Sequence, residues 1–278
     1  VLLAALLVAG MLYALSLPLG VAWMLGAALA ATDPVAVIAL ARSLRVPPRL
    51  LAIVEAESLF NDAIAVALVR ARNLLISLAA LVVGGLLGDL VARFCLAMRV
   101  RNVPVLWLFS VLGLYGASFG IEWLGGSGIV AVVAFGIAMR SRIEHGTARE
   151  LLEGVDAYWR RCALALNVVL FAWMGASLNL ADSEGVLLAS VAVLVALALA
   201  RLVMVYGLLR AVPEVASSWR AFMTASGMRG ALSLALVLSI GAGVPGARRA
   251  RAIAFVVVLS TMLVGALLLP RSTRALAD

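Results

Sequence analysis

Apolar runs of about 20 residues follow one another along almost the whole chain, which is the length that crosses roughly 30 Å of bilayer hydrocarbon. A soluble core of this size would be built from amphipathic stripes instead. The pattern specifies an all-α polytopic membrane protein, because helices satisfy their own backbone polar groups in lipid. Ten spans are expected, at roughly 1–16, 18–43, 50–70, 74–98, 103–122, 126–140, 160–180, 185–210, 218–241 and 250–270. The join at Arg70 to Asn73 is very short. The one substantial hydrophilic connector runs from Arg140 to Arg161. The chain opens on Val1 inside an apolar run, which reads as a piece of a longer parent.

The net charge of +8 comes from 22 arginines and no lysine. On a soluble protein that excess would suggest nucleic acid. Here the arginines lie mainly in short gaps between apolar runs, so they report topology and no nucleic-acid partner is expected. One set of connectors holds fifteen arginines, among them Arg42, Arg45, Arg99, Arg101, Arg160 and Arg161. The opposite set holds five: Arg70, Arg72, Arg248, Arg249 and Arg251. The bias puts the first set, and both ends of the chain, in the cytoplasm, as in a bacterial inner membrane. Cys95 and Cys162 have no paired spacing and read as small packing residues.

Nearly all the polar chemistry sits in three segments: Thr32-Asp33-Pro34, "VEAESLFNDAIAVAL" from Val54 to Leu68, and "ASGMRGALSLALVLS" from Ala225 to Ser239. A carboxylate and a proline together in one apolar run are costly. They are tolerable where a broken helix lines a cavity or is buried in protein. Span two is interrupted at Asp33-Pro34 and span nine at Ser226 to Gly230. The seven-span offset between them gives opposite orientations. Paired interruptions in inverted halves mark a binding site at the bilayer midplane. Three segments are expected: residues 1–70 and 181–278 as the two repeat halves, and 71–180 as intervening spans with the cytoplasmic connector.

Ser58 and Asp62 are four residues apart and share one helical face. Glu57 and Asn61 share a neighbouring face, about 100° away. Asp62, Ser58 and carbonyls freed around Thr32-Asp33 offer the oxygens and the single negative charge that suit a hard monovalent cation. A proton or a cation can neutralise Asp62, but not both, and such competition is sufficient for obligatory exchange. Asp33 reads equally as a stabiliser of the helix break that never touches the ion. Arg229 needs a partner in the membrane, and Glu57 is the carboxylate left for it, as a buried pair tying span three to span nine. "GGLLG", Gly84 to Gly88, reads as a close-packing face.

"ATDPVAV", "ESLFNDAIAV" and "GMRGALSLAL" together resemble the signature segments of monovalent cation:proton antiporters, the NhaP and NHE-type sodium/proton exchangers. The likeness covers most of the chain. It implies an NhaA-like fold with inverted repeats and crossed, unwound helices, and a homodimer in the full-length parent. It implies no cofactor, with Na⁺ (or Li⁺ or K⁺) and H⁺ as the transported ions in a lipid bilayer. It implies that Asp62 binds ion and proton, with Thr32, Asp33 and Ser58 around the cation, Na⁺ lying at Asp62, Ser58 and Thr32. Asn61, in place of a second aspartate, implies electroneutral exchange. Glu57 and Arg229 match the family's structural ion pair. The family carries about three further helices before the position of Val1. Met228 and Ala56 depart from its usual leucine and glycine.

Other functions compete. Intramembrane serine proteolysis fails because the single histidine, His145, lies in a connector. Aspartyl proteolysis fails because "LLGDL" lacks its motif. A cation channel would repeat its acids around a symmetry axis, and here they cluster in one protomer. A non-transporting membrane remnant is the remaining alternative.

Overall fold

A computed structural model describes residues 1–33, 35, 37–38, 41, 46–70, 74–145, 149–177, 185–208, 216–241 and 243–274. All regular structure among these residues is helical: α1 (Leu2–Ala14), α2 (Leu19–Ala30), α3 (Pro48–Arg70), α4 (Leu74–Ala97), α5 (Val103–Trp123), α6 (Gly128–Glu144), α7 (Arg149–Ser177), α8 (Val186–Leu202, continued by a π-helical turn Val203–Leu208), α9 (Ser217–Ala225), α10 (Ala231–Leu238) and α11 (Ala247–Arg274). Among the described residues, four helical stretches, Leu75–Ala97, Val103–Trp123, Val186–Gly207 and Ala247–Thr273, are long and apolar enough to cross a membrane by themselves. Their outward faces carry exposed Leu, Val and Phe in quantity, as a lipid-facing surface requires.

The chain forms two compact units. The first comprises Val1–Ala65 and Leu170–Asp278, the second Val66–Val169. Residues near both chain ends therefore fold together, and the middle of the sequence packs by itself.

In the first unit, α1 packs along α2 and α8, and α11 runs past α8, α9, α10 and α2. Gly26 of α2 meets the backbone of α1 at Ala5 and Ala9, so a side chain there would force the helices apart. Val54, Phe222, Met228 and Leu269 belong to one buried apolar cluster. Each interrupted span is visible as a break. Helix α2 stops at Ala30 and the backbone turns extended at Ala31 (φ −62°, ψ 144°). Helices α9 and α10 are separated by Ser226–Gly230. Pro34, expected to cause the first break, lies outside the described residues, as do Arg42, Arg45 and Arg72.

In the second unit, α4 packs on α6 through glycines. Gly84 and Gly88, one turn apart, sit against the backbone of Ala131 and Phe135, also one turn apart. The expected close-packing face is thus real and buries one helix backbone on another. The hydrophilic connector differs from expectation. Helix α6 continues to Glu144 and α7 begins at Arg149. Between its charges this stretch hides an apolar period, Leu151, Leu152 and Val155. These pack on Phe135, Met139 and Ile143, which stabilises an amphipathic helix where composition alone reads as loop. Polar ties hold the same region: Asp89 accepts from Arg93 and Arg142, Arg140 pairs with Asp156, and the Trp159 indole donates to Ser110. Cys95 and Cys162 are free.

Candidate cation site

The two breaks cross. The Asp33 N–H donates to the Met228 carbonyl at 2.9 Å, and the Arg229 guanidinium donates to the Ala31 carbonyl at 3.3 Å. Gly230 permits the approach, because a Cβ there would collide with the Asp33 side chain. Charges match helix ends. Asp33 lies against Gly230, which precedes the first residue of α10, where the helix dipole is positive. Arg229 meets the negative end of α2. A break of this kind leaves backbone groups without helical partners, and each break supplies partners for the other.

Beside the crossing, α3 presents its polar residues. Thr32 Oγ1 and Ser58 Oγ are 2.9 Å apart and both residues are buried. Asp62, one turn beyond Ser58, buries its Oδ1 with no hydrogen-bond partner. Its charged neighbours include Asp33 and Arg229. A buried carboxylate oxygen without a hydrogen-bond partner is a ready acceptor for a cation or a proton, and an uncompensated buried acceptor is costly. Thr32, Asp33, Ser58, Asn61 and Asp62 thus lie beside one another at the crossing.

Two expectations need correction. Asn61 does not turn away from the Ser58–Asp62 face. Its Nδ2 donates both to Thr32 Oγ1 at 3.1 Å and to Glu57 Oε1 at 3.2 Å, linking the two polar stripes. The amide is long enough to reach across the angle that separates them on the helix. Glu57 pairs not with Arg229 but with Arg201 of α8. The contact is bidentate, Nη1 to Oε1 and Nη2 to Oε2. Arg201 also donates to the Met223 carbonyl through Nε at 3.1 Å and Nη2 at 2.6 Å. It therefore ties α3 to the C-terminal turn of α9, just before the second break. Arg229 finds its acceptor in the backbone of the first break, with Glu57 and Asp62 as more distant opposite charges.

Arg201 is the residue that sequence reasoning misses. The available signal was a charge inside "VALALARLVMV", since an ionisable residue in an apolar run marks function or a buried pair. It also stands just before the π-helical turn Val203–Leu208, a local widening often found at functional positions. A cavity of about 210 Å³ borders the network, with Thr32, Glu57, Asn61, Arg201 and Arg229 in its walls. Ser58 and Asp62 lie outside those walls.

The chain as a whole is similar to known proteins. The family described as "Sodium/hydrogen exchanger, transmembrane" matches residues 1–273. The Na⁺/H⁺ antiporter NhaH of Halobacillus dabanensis is 29% identical over 280 residues, covering 92% of this chain and 69% of that protein. The Na⁺/H⁺ antiporter ApNhaP of Aphanothece halophytica is 33% identical over 283 residues, covering 90% of this chain and 52% of that protein. The chain thus spans between half and about two thirds of these relatives. The structure of the sodium proton antiporter MjNhaP1 from Methanocaldococcus jannaschii superposes with a TM-score of 0.78 at 20% identity, covering 99% of this chain and 75% of that one, which establishes the shared fold. With the family matched from Val1 to Thr273, almost the end of α11, and with that fold, the chain belongs to the sodium/hydrogen exchanger family.

Proposed function

We propose that the chain exchanges Na⁺ for H⁺ across a membrane by alternating access, one cation per proton, with Asp62 as the group that binds either. Exchange of this kind is transport and not an enzymatic reaction. The observation that carries the reading is the unpartnered, buried Oδ1 of Asp62 beside the Thr32–Ser58 hydroxyl pair and two broken helices. Thr32 and Ser58 supply hydroxyl oxygens to the cation. Asn61 fixes the Thr32 hydroxyl from the second stripe. Asp33 balances the positive end of α10 and contributes negative potential at the site.

A neutralised Asp62 crosses an apolar barrier cheaply and an empty one does not. Exchange is then obligatory, because either ion satisfies the same oxygen. Asn61, where a second carboxylate would add a charge to each cycle, supports electroneutral coupling. Residues 1–70 and 181–278 act as the inverted halves that carry the two breaks. The arginine bias supports cytoplasmic placement of both ends; a bacterial inner membrane and a homodimer are proposed with it. Among monovalent ions Na⁺ is the substrate proposed, with Li⁺ and K⁺ as competitors.

The test is proton movement in proteoliposomes of defined gradient, with Na⁺, Li⁺ or K⁺ added in turn and the membrane potential clamped. Cation-driven proton movement that ignores the clamp is the expected result. Flux without counter-movement of protons would indicate a channel, and no flux would indicate a non-transporting protein. A steep response to voltage would overturn electroneutrality.

A further inference from the structure

The second break is held from both sides, and one of those sides is helix α11. Follow the backbone N–H groups of the break. Ser226 donates to Phe222, Gly227 to Thr224 and Met228 to Ser226, all within the chain's own turn. Arg229 does not. Its N–H donates to the Thr261 hydroxyl of α11 at 3.1 Å. The Thr261 proton is already committed, donated to the Val258 carbonyl of its own helix at 2.9 Å. The hydroxyl is therefore oriented, with an acceptor lone pair turned to the break.

One turn further along α11, Gly265 faces the Met228 side chain so closely that a Cβ would overlap its Cγ and Sδ. A turn beyond that, Leu269 belongs to the same buried apolar cluster as Met228. Residues 261, 265 and 269 share one helical face. That face receives Met228 and Arg229: a glycine notch and an apolar wall for the side chain of the first, a hydrogen bond to the backbone of the second.

The same two residues hold the first break. Met228 presents its carbonyl to the Asp33 N–H, and Arg229 its guanidinium to the Ala31 carbonyl. Thr32, whose hydroxyl meets Ser58, lies between these two anchored residues. A shift of the Met228–Arg229 segment on α11 is thereby passed to the oxygen atoms beside Asp62.

We propose that Thr261 is a positioning residue: by holding the Arg229 amide it sets the register in which the second break presents itself to the first, and so sets the affinity of the Thr32–Ser58–Asp62 site for its cation. This rests on the exchange reading above. Thr261→Val keeps the shape and removes the acceptor. Thr261→Ser keeps the acceptor. Gly265→Ala leaves the hydrogen bond intact and pushes on Met228 from the same face.

The experiment compares these full-length chains and wild type in proteoliposomes, reading the apparent KM for Na⁺ and kcat at one pH, together with deuterium uptake of a peptide containing Arg229. Loss of one buried hydrogen bond corresponds to roughly fivefold in an equilibrium constant. The expected result is an apparent KM raised about fivefold in Thr261→Val, with kcat changed far less. The Arg229 amide should exchange faster in that variant, and Thr261→Ser should restore both readings. Gly265→Ala should raise KM without speeding amide exchange.

An unchanged KM in folded Thr261→Val, or Thr261→Ser behaving as Thr261→Val, overturns the proposal. So does faster amide exchange with no change in KM, since the bond would then hold the segment without setting affinity. If Thr261→Val is not recovered folded, Gly265→Ala and Thr261→Ser decide by the same readings. If wild type moves no protons on Na⁺ addition, the exchange reading fails, and Na⁺-dependent thermal stabilisation of the same variants then reads the affinity directly.

Discussion

Removing Arg201 should expose how much of the first unit depends on one bidentate contact. In Arg201→Met the apolar stem is retained and the Glu57 carboxylate is stranded. Breaking a buried pair costs about 3–5 kcal/mol, and the lower end applies because the side chains of Arg201 and Glu57 keep 14% and 27% of their exposure. The Met223 carbonyl also loses its donors, worth about 1 kcal/mol more. The loss should total about 4 kcal/mol, which for a chain of this size lowers the melting temperature by about 10 °C. Glu57→Gln retains an acceptor for Asn61 and leaves Arg201 its bonds to Met223, so it should cost less. The double variant should lose about 2 kcal/mol less than the sum of the two, because no charge remains unpaired. Thermal melts of the four proteins in detergent measure this cycle. A second cycle, Glu57→Gln with Arg229→Met, should be close to additive. Additive losses for Glu57 with Arg201, or strong coupling of Glu57 with Arg229 instead, would refute the pairing and return Glu57 to the set of candidate ion ligands.

Asp62→Asn should abolish Na⁺-dependent proton movement while leaving the melting curve within about 1 kcal/mol of wild type; wild-type exchange rates in the purified variant would remove Asp62 from the site. Because proton and cation contest one carboxylate, lowering the pH should raise the apparent KM for Na⁺ by up to about tenfold per pH unit in the acid range, with kcat at saturating Na⁺ preserved. A KM independent of pH would show that the two ions bind elsewhere from each other. Gly230→Ala drives a methyl group into the Asp33 side chain and should cost about 1–3 kcal/mol and weaken cation affinity. Gly136→Ala, on α6 with open space around it, should be neutral or stabilise by about 0.5–1 kcal/mol; equal melting losses in the two variants would show that the Asp33 contact does not matter.

The membrane class, the two interruptions and the polar residues of α3 are legible in the sequence because each is a local property. Run length reports the bilayer, Asp33 and the Ser226–Gly230 stretch report broken helices, and a spacing of four puts Ser58 and Asp62 on one face whatever surrounds them. Gly84 and Gly88 are readable for the same reason, since two small residues a turn apart let a neighbouring backbone come close. What spacing along one helix leaves open is which face of a second helix meets it. That depends on the rotation and depth at which packing seats each element. Glu57 had two arginines within the span of plausible partners. The seating of α8 on α1 and α11 brings Arg201 to it, while the crossing of the breaks gives Arg229 a backbone carbonyl instead. The bridge from Asn61 to Thr32 and the helical course of Leu151–Val155 were likewise decided by neighbours distant in sequence. Thr261 is the extreme case: it follows Ser260 in an apolar run, and its part in the site arises because α11 passes beside a backbone amide of the second break that needed an acceptor.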